Sequence, residues 1–395
     1  MPHSHMRLLT VIACMAVFLA QLGMMMYLPA LPSIAQSLSA TQSLTSLSLP
    51  VYLGGMAVPM LLWGKWGATW GIKPVLIGSL LMFSLGSALL AVCEQIETFM
   101  SLRFVQGLGA SGMSVMARSL VAQHFKGDQL AKVLSWLSIA FVVSLGIGQY
   151  AGAILMSTFG WPAIFWCLTL AATLLAGLVH CGLSNVRQTP YAPVCWGHYL
   201  TIVRHAPFLR CALIGGLGYA IIIGFNTAAP SIFQTTYRWS ASDYGVLGWA
   251  MSLAYLLGSL TVNRHVLIRG QSQLSAIATG LMVVASLVML LAVITSPTCA
   301  ALLWLPYCLI VFCQAISYPI SLSQASDHSP VSGPYSMALC GFIHQLVAAF
   351  AGVTVSLLNV QNPLYLAAIC LLLAAGVRGL SAFNPSERRA NHRSR

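Results

Sequence analysis

Leu8-Leu-Thr-Val-Ile-Ala-Cys-Met-Ala-Val-Phe-Leu-Ala-Gln-Leu-Gly-Met-Met-Met-Tyr-Leu28 carries no charged side chain. A helix needs about 20 such residues to cross a hydrocarbon core about 30 Å thick. The run is too long for the apolar core of a signal peptide, and no clear cleavage site follows it. It reads as a first spanning helix. His3 and His5 precede a second methionine, Met6, in the pattern of a leader or a tag remnant, so the native status of residues 1–5 stays open.

Working outward, runs of the same kind recur at roughly 44–63, 74–93, 98–122, 133–155 and 162–183. A polar stretch from Ser184 to Ala206 follows, and then six more runs at roughly 207–229, 243–262, 274–295, 300–322, 334–357 and 361–381. The pattern predicts an all-α membrane protein with twelve transmembrane helices in two six-helix bundles. The expected organisation is a first bundle over 1–183, a cytoplasmic linker over 184–206, a second bundle over 207–383 and a basic tail over 384–395.

Composition excludes the soluble alternative. Of 395 residues, 58% are hydrophobic and 6% charged, and the mean hydropathy is +0.84. Soluble domains have about a quarter of their residues charged. Eighteen Lys+Arg and six Asp+Glu cannot cover the surface of a 42.2 kDa globule. The net charge of +12 is not a nucleic-acid signature, because the basic residues stand singly or in pairs between apolar runs. The eleven cysteines include no CxxC pair and lie mostly inside apolar runs, where cysteine packs as a small hydrophobe. Neither a metal nor a cofactor is expected. His124 and Asp128 are four apart but have no evident catalytic partner, so an enzyme is not expected either.

Orientation follows from the cytoplasmic excess of Lys and Arg. An N-terminus inside places Arg7, Lys65, Lys73, Lys126, Lys132, Arg187, Arg204, Arg210, Arg264, Arg269 and the tail arginines in the cytoplasm. Arg238 then stands outside with Glu94, Glu97 and Asp243. The asymmetry holds only for an even number of spans, with both termini cytoplasmic. The halves also echo each other: Pro32-Ser33-Ile34 follows the first span and Pro230-Ser231-Ile232 the seventh. That spacing fits the parallel repeats of transporters.

Candidate site residues are the polar groups inside spans. Arg103 lies roughly 7 Å into the fourth span, with Gln106 at i+3 on its face. An arginine at the helix centre costs about 2.5–3.5 kcal/mol on insertion scales. It either snorkels to the interface or bonds inside the bundle, and the small residues from Gly107 to Gly112 favour close helix approach. Ser144, Gly148 and Gly152 form a small-residue stripe on the fifth span, a packing surface or a hinge. The segment Gly64-Lys-Trp-Gly-Ala-Thr-Trp-Gly71-Ile-Lys73-Pro74 reads as a tight cytoplasmic loop. His344 lies within the eleventh span, as a helix-contact histidine or a titrating group in the pathway. Gln21, Gln149, Asn226 and Gln345 are further intramembrane polar candidates. None of the six acids falls near the middle of a span.

The chain resembles the major facilitator superfamily and, within it, the Bcr/CflA-type drug:proton antiporters. Tyr27-Leu-Pro-Ala-Leu-Pro-Ser-Ile-Ala35 is similar to that subfamily at the end of helix one, and Arg103-Phe-Val-Gln-Gly-Leu-Gly-Ala-Ser-Gly112 to its helix-four motif. Gly64 to Pro74 sits where the superfamily's cytoplasmic signature falls, and Gly160-Trp161 with Ala163-Ile164-Phe165 resembles the start of helix six. Three departures stand out. Met25 takes the place of a usual acid before the Tyr-Leu-Pro run, Ala68-Thr69 replaces Asp-Arg, and Gly148 stands without the following proline of the antiporter motif. The resemblance implies alternating access by rocking of the halves, and the candidate pathway residues are Met25, Tyr27, Arg103, Gln106, Gln149, Asn226, His344 and Gln345. Gly64, Gly71, Lys73, Gly148 and Gly152 are the implied gating positions. The expected function is export of a small amphipathic drug or natural product across a bacterial inner membrane, by a monomer in the lipid bilayer, with protons as the candidate coupling ion. A siderophore exporter, an importer and a non-transporting sensor or assembly factor remain the alternatives.

Overall fold

The computed structural model describes residues 3–41, 44–45, 47–183, 197–239, 241–296, 298–331, 333–357 and 362–382. The start of the linker (184–196), the tail and the side chain of Gln149 lie outside the described residues. Among the described residues every regular element is helical. In the first half these are α1 (His3–Met25), a 3-10 turn (Leu28–Ala30), α2 (Leu31–Ser37), α3 (Ser48–Ala57), α4 (Met60–Trp70), α5 (Ile72–Ala91), α6 (Ile96–His124), α7 (Gly127–Phe159) and α8 (Pro162–Gly182). The second half holds α9 (Gly197–Arg204), α10 (Ala206–Thr235), α11 (Ala241–Thr295), α12 (Ala301–Asp327), α13 (Pro334–Leu357) and α14 (Pro363–Ala382).

Among the described residues, eight helices are long and apolar enough by length and composition to cross a membrane. Their outward faces confirm the solvent. Trp166, Leu170, Leu174 and Leu178 recur every four residues on α8 and are all exposed, as are Leu81, Leu85 and Leu89 on α5. A helix in water would place polar side chains on such a stripe.

The chain forms two compact units. The first comprises Met1–Phe125, Ile139–Thr201 and Val331–Phe342. Its central helix is α6, which packs against α1, α3, α4 and α5, while α8 closes against α1 and α5. Glycine decides the α3–α6 approach. A Cβ at Gly55 would strike the backbone of Phe104, and one at Gly107 the backbone of Tyr52. The Trp63 indole then donates to the Leu108 carbonyl at 3.0 Å, fixing α4 on α6.

The second unit comprises Lys126–Ser138, Ile202–Pro330 and Ile343–Arg395. Its core lies between α10, α11, α12 and α14, with Ile221, Phe225, Val262, Met282, Tyr307 and Leu366 inside. Phe225 stacks on Tyr307 with ring centroids 3.4 Å apart. The first turns of α7 belong to this unit. Asp128 Oδ1 accepts the backbone N–H of Gln271 at 2.9 Å, and Asn263 donates to Ser135 Oγ at 3.2 Å.

Two loops expected from sequence are mostly helix. The segment after Gly64 continues as α4 to Trp70, and only Gly71 (φ 94°, ψ 155°) turns the chain. Gly64 and Gly67 are contact positions instead: a Cβ at either would press on Pro334 in the first turn of α13. Arg264 and Arg269 likewise stand on α11, which combines the expected eighth and ninth spans and breaks once, at Gly270 (φ 75°, ψ 155°). L-residues avoid such a φ, so glycine marks both corners. The second span, expected as one run, divides into α3 and α4 around Val58-Pro59, because proline supplies no N–H to continue the helix.

Candidate functional site

The first unit holds its polar centre where α1 ends. Pro29 and Pro32 each start a new helical segment, so the first span breaks after Met25 into a 3-10 turn and α2. A break leaves carbonyls without their helical N–H partners. Arg103, from the middle helix α6, reaches this end: its Nη1 donates to the Gly23 carbonyl at 2.9 Å and also to Gln106 Oε1. Gln106 passes the chain onward, donating to Ser87 Oγ of α5 at 2.7 Å.

Arg103 is 0% exposed, so it bonds inside the bundle and does not snorkel. Its guanidinium carbon sits 3.9 Å from the Tyr27 ring centroid and 4.5 Å from that of Tyr52. Both rings are pinned through their hydroxyls. Tyr27 pairs with Ser48 Oγ at 2.9 Å, and Tyr52 donates to the Ala20 carbonyl at 2.6 Å. A hydrogen bond to a charged group contributes about 1.5–3 kcal/mol and a desolvated cation–π contact about 2 kcal/mol. No carboxylate takes part, and Nε and Nη2 have no hydrogen-bond acceptor. The cage is therefore a positive centre held by dipoles and π faces.

The other expected site residues fall in several places. Met25 is half-buried, with its Cβ 3.4 Å from where a Cβ of Gly148 would lie. Gly152 meets the backbone of Met26, so the small-residue stripe of α7 packs on the broken end of α1. Lys73 donates to the Leu183 carbonyl at 2.6 Å, at the end of α8. Gly64 receives the Tyr199 hydroxyl and Ala338. Burial pushes the Tyr199 hydroxyl well above the usual phenol range, with Tyr335 adding to the effect, so it remains a donor to the Leu61 carbonyl. Asn226 is exposed on α10, and Gln345 is half-buried on α13. His344 is buried in the second unit, away from the Arg103 cage in sequence and in unit.

Sequence reasoning did not single out Tyr52, Ser48 and Ser87. The signal was available for two of them. Ser48 and Tyr52 are four apart in an apolar run, hence on one helix face, and a tyrosine buried there needs a partner for its hydroxyl.

The Major Facilitator Superfamily model matches residues 13–353. The chain belongs to this superfamily. It is a multi-pass membrane protein of a transporter family, not an enzyme. Solved structures agree on the fold. The transporter FucP in its outward conformation superposes with a TM-score of 0.75 over 95% of this chain and 98% of FucP, at 13% identity. The human organic anion transporter MFSD10 gives 0.72 over 97% and 98%, at 16% identity. Among sequence relatives, the multidrug resistance protein MdtL of Shewanella sp. (strain ANA-3) is 29% identical over 60% of this chain and 61% of its own length. The uncharacterized MFS-type transporter YdgK of Bacillus subtilis (strain 168) is 29% identical over 70% of each chain. The match thus spans about three fifths of MdtL.

Proposed function

We propose that this protein exports small amphipathic molecules, of the kind handled in multidrug resistance, across a bacterial inner membrane by alternating access. The observation that carries the reading is the broken first span clasped by Arg103. Transporter sites are typically built where helices are discontinuous and free carbonyl ends face polar partners. The relatives named for multidrug resistance, all bacterial, supply the direction and the breadth of substrate. Membership of the superfamily supports a small-molecule substrate with protons as the coupling ion. The Lys and Arg distribution supports cytoplasmic termini, and the unit works as a monomer. Met25, Tyr27, Arg103 and Gln106 form the pathway at the α1 break, with Gly148 and Gly152 as the surface on which that break slides.

The substrates this cage favours are anionic, zwitterionic or neutral. Its fixed charge is positive, no buried carboxylate offsets it among the described residues, and a low-dielectric interior strengthens each charge interaction. Inside-out vesicles from cells making the protein test both points. Chloramphenicol (neutral), fluorescein (anionic) and tetraphenylphosphonium (cationic) are compared against vesicles lacking it. Energy-dependent uptake of the first two is expected. Uptake of none of them would remove the exporter reading, and robust uptake of tetraphenylphosphonium would remove the charge preference.

A further inference from the structure

Among the described buried residues, two side chains are candidates to carry charge near neutral pH: Arg103 and His344. Arginine does not release its proton in proteins. No Asp or Glu is among them. Histidine is the side chain whose unperturbed pKa lies in the range where a cell can load and unload it. Among the described buried residues, a proton thus has one chemically suitable place to sit.

That place is built. On α10, Gly215 leaves open the volume that a side chain would fill: a Cβ there would lie 2.6 Å from His344 Nε2 and 2.9 Å from its Cε1. One turn further, a Cβ at Gly218 would collide with the amide of Gln314. Two glycines three residues apart therefore admit two polar side chains into a core otherwise made of residues such as Ile221, Phe225 and Ile320. Gln314 Nε2 reaches the Gly215 carbonyl at 3.4 Å, and Ser317 Oγ donates to Gln314 Oε1 at 3.3 Å. From α12 the Tyr318 ring lies 5.1 Å from the imidazole, centroid to centroid, and tilted by 53°. The ring packs against the imidazole and closes the slot on the α12 side. Tyr318 is the titratable group facing His344 from α12. From α10 the facing residues are Gly215 and Gly216. Arg118 of α6 approaches α13 at Gly341, three residues before His344.

We propose that His344 is the proton-binding group of this transporter. This rests on the reading of the chain as a proton-coupled exporter. The imidazole takes one proton from the outer side to become imidazolium and gives the same proton to the cytoplasmic side, while substrate moves outward. No other bond is made or broken. The slot between Gly215 and Tyr318 holds the ring in both charge states.

Two measurements on the full-length protein test the proposal. The first is a ¹³C-histidine NMR titration in lipid nanodiscs, with the His344 signal identified by its loss in His344→Gln, or in His344→Asn should the glutamine variant fold poorly. A midpoint between about pH 5 and 8 is expected. A signal that stays neutral across that range overturns the proposal. The second is chloramphenicol flux in proteoliposomes. His344→Gln is expected to lose at least about tenfold of the accumulation driven by a pH gradient, equivalent to about 1.4 kcal/mol. Unchanged gradient-driven accumulation in the variant overturns the proposal. Failure of the wild type to move chloramphenicol at all would count against the exporter reading for that compound, and the NMR titration would still decide the role of His344.

Discussion

Arg103 has no carboxylate partner in its cage, and its charge is met by one helix-end carbonyl, one side-chain amide and two tyrosine faces. The two tyrosine contacts depend on the planar guanidinium. Arg103→Ala is therefore expected to abolish transport while membrane expression persists, since a charge that costs free energy to bury is removed together with its bonds. Arg103→Lys should rescue poorly, because a lysine ammonium offers no flat face to Tyr27 and Tyr52. Full chloramphenicol uptake by Arg103→Ala in vesicles would show the cage to be structural only. Met25→Asp tests the sign preference at the same end of α1. It adds a negative charge near the break, and tetraphenylphosphonium uptake is expected to rise while fluorescein uptake falls. Unaltered selectivity would disconnect the cage from substrate choice.

Helices in these units are joined by absence of side chain as much as by contact. The α3–α6 pair interlocks at Gly55 and Gly107, where backbone meets backbone. Gly107→Ala places a Cβ against the Tyr52 carbonyl, and overpacking of this kind costs about 1–3 kcal/mol. The variant should show a lower midpoint in thermal unfolding followed by size-exclusion chromatography. A second prediction concerns α11. Its latter part starts after the Gly270 corner, and Asp128 caps that helix N-terminus from the first turn of α7. Losing such a cap costs about 1 kcal/mol, so Asp128→Ala should lower the same midpoint, and Asp128→Asn, which keeps an oxygen acceptor, should lower it less. These contacts were only partly legible in the sequence. The small residues of α6 were readable as a packing face, but Gly64 and Gly67 were read as loop glycines. A glycine needed for close approach and a glycine needed for a turn look alike until the neighbouring helix is in place.

On the scale of the molecule, the halves repeat one plan. Two of the positive-φ glycines, Gly71 and Gly270, lie 199 residues apart (71 to 270) and share a ψ of 155°. That spacing agrees with the offset between Pro32-Ser33-Ile34 and Pro230-Ser231-Ile232. The polar wiring repeats too. In each unit a side-chain N–H from a later helix reaches a backbone carbonyl of the unit's leading span: Arg103 to Gly23 in one, Gln314 to Gly215 in the other. Two like halves would give an even number of spans and termini on one side of the membrane, and the Lys and Arg distribution supports the cytoplasmic side. A C-terminal green fluorescent protein fusion should fluoresce, and a C-terminal alkaline phosphatase fusion should be inactive. Active phosphatase at full length would contradict the even count.

The sequence alone determined the membrane solvent and the all-helical class. Those depend on composition and on runs of about 20 apolar residues, which are local quantities. It also marked Arg103 and Gln106, because a charge inside an apolar run is conspicuous wherever it ends up pointing. Only the tertiary structure decided what that charge touches. The tyrosine cage, the break of α1 beneath it, and the glycine slot that admits His344 all join residues distant in the chain, as from Gly23 to Arg103 or from Gly215 to His344. Burial and partner geometry are properties of several helices at once, and no single stretch of sequence records them.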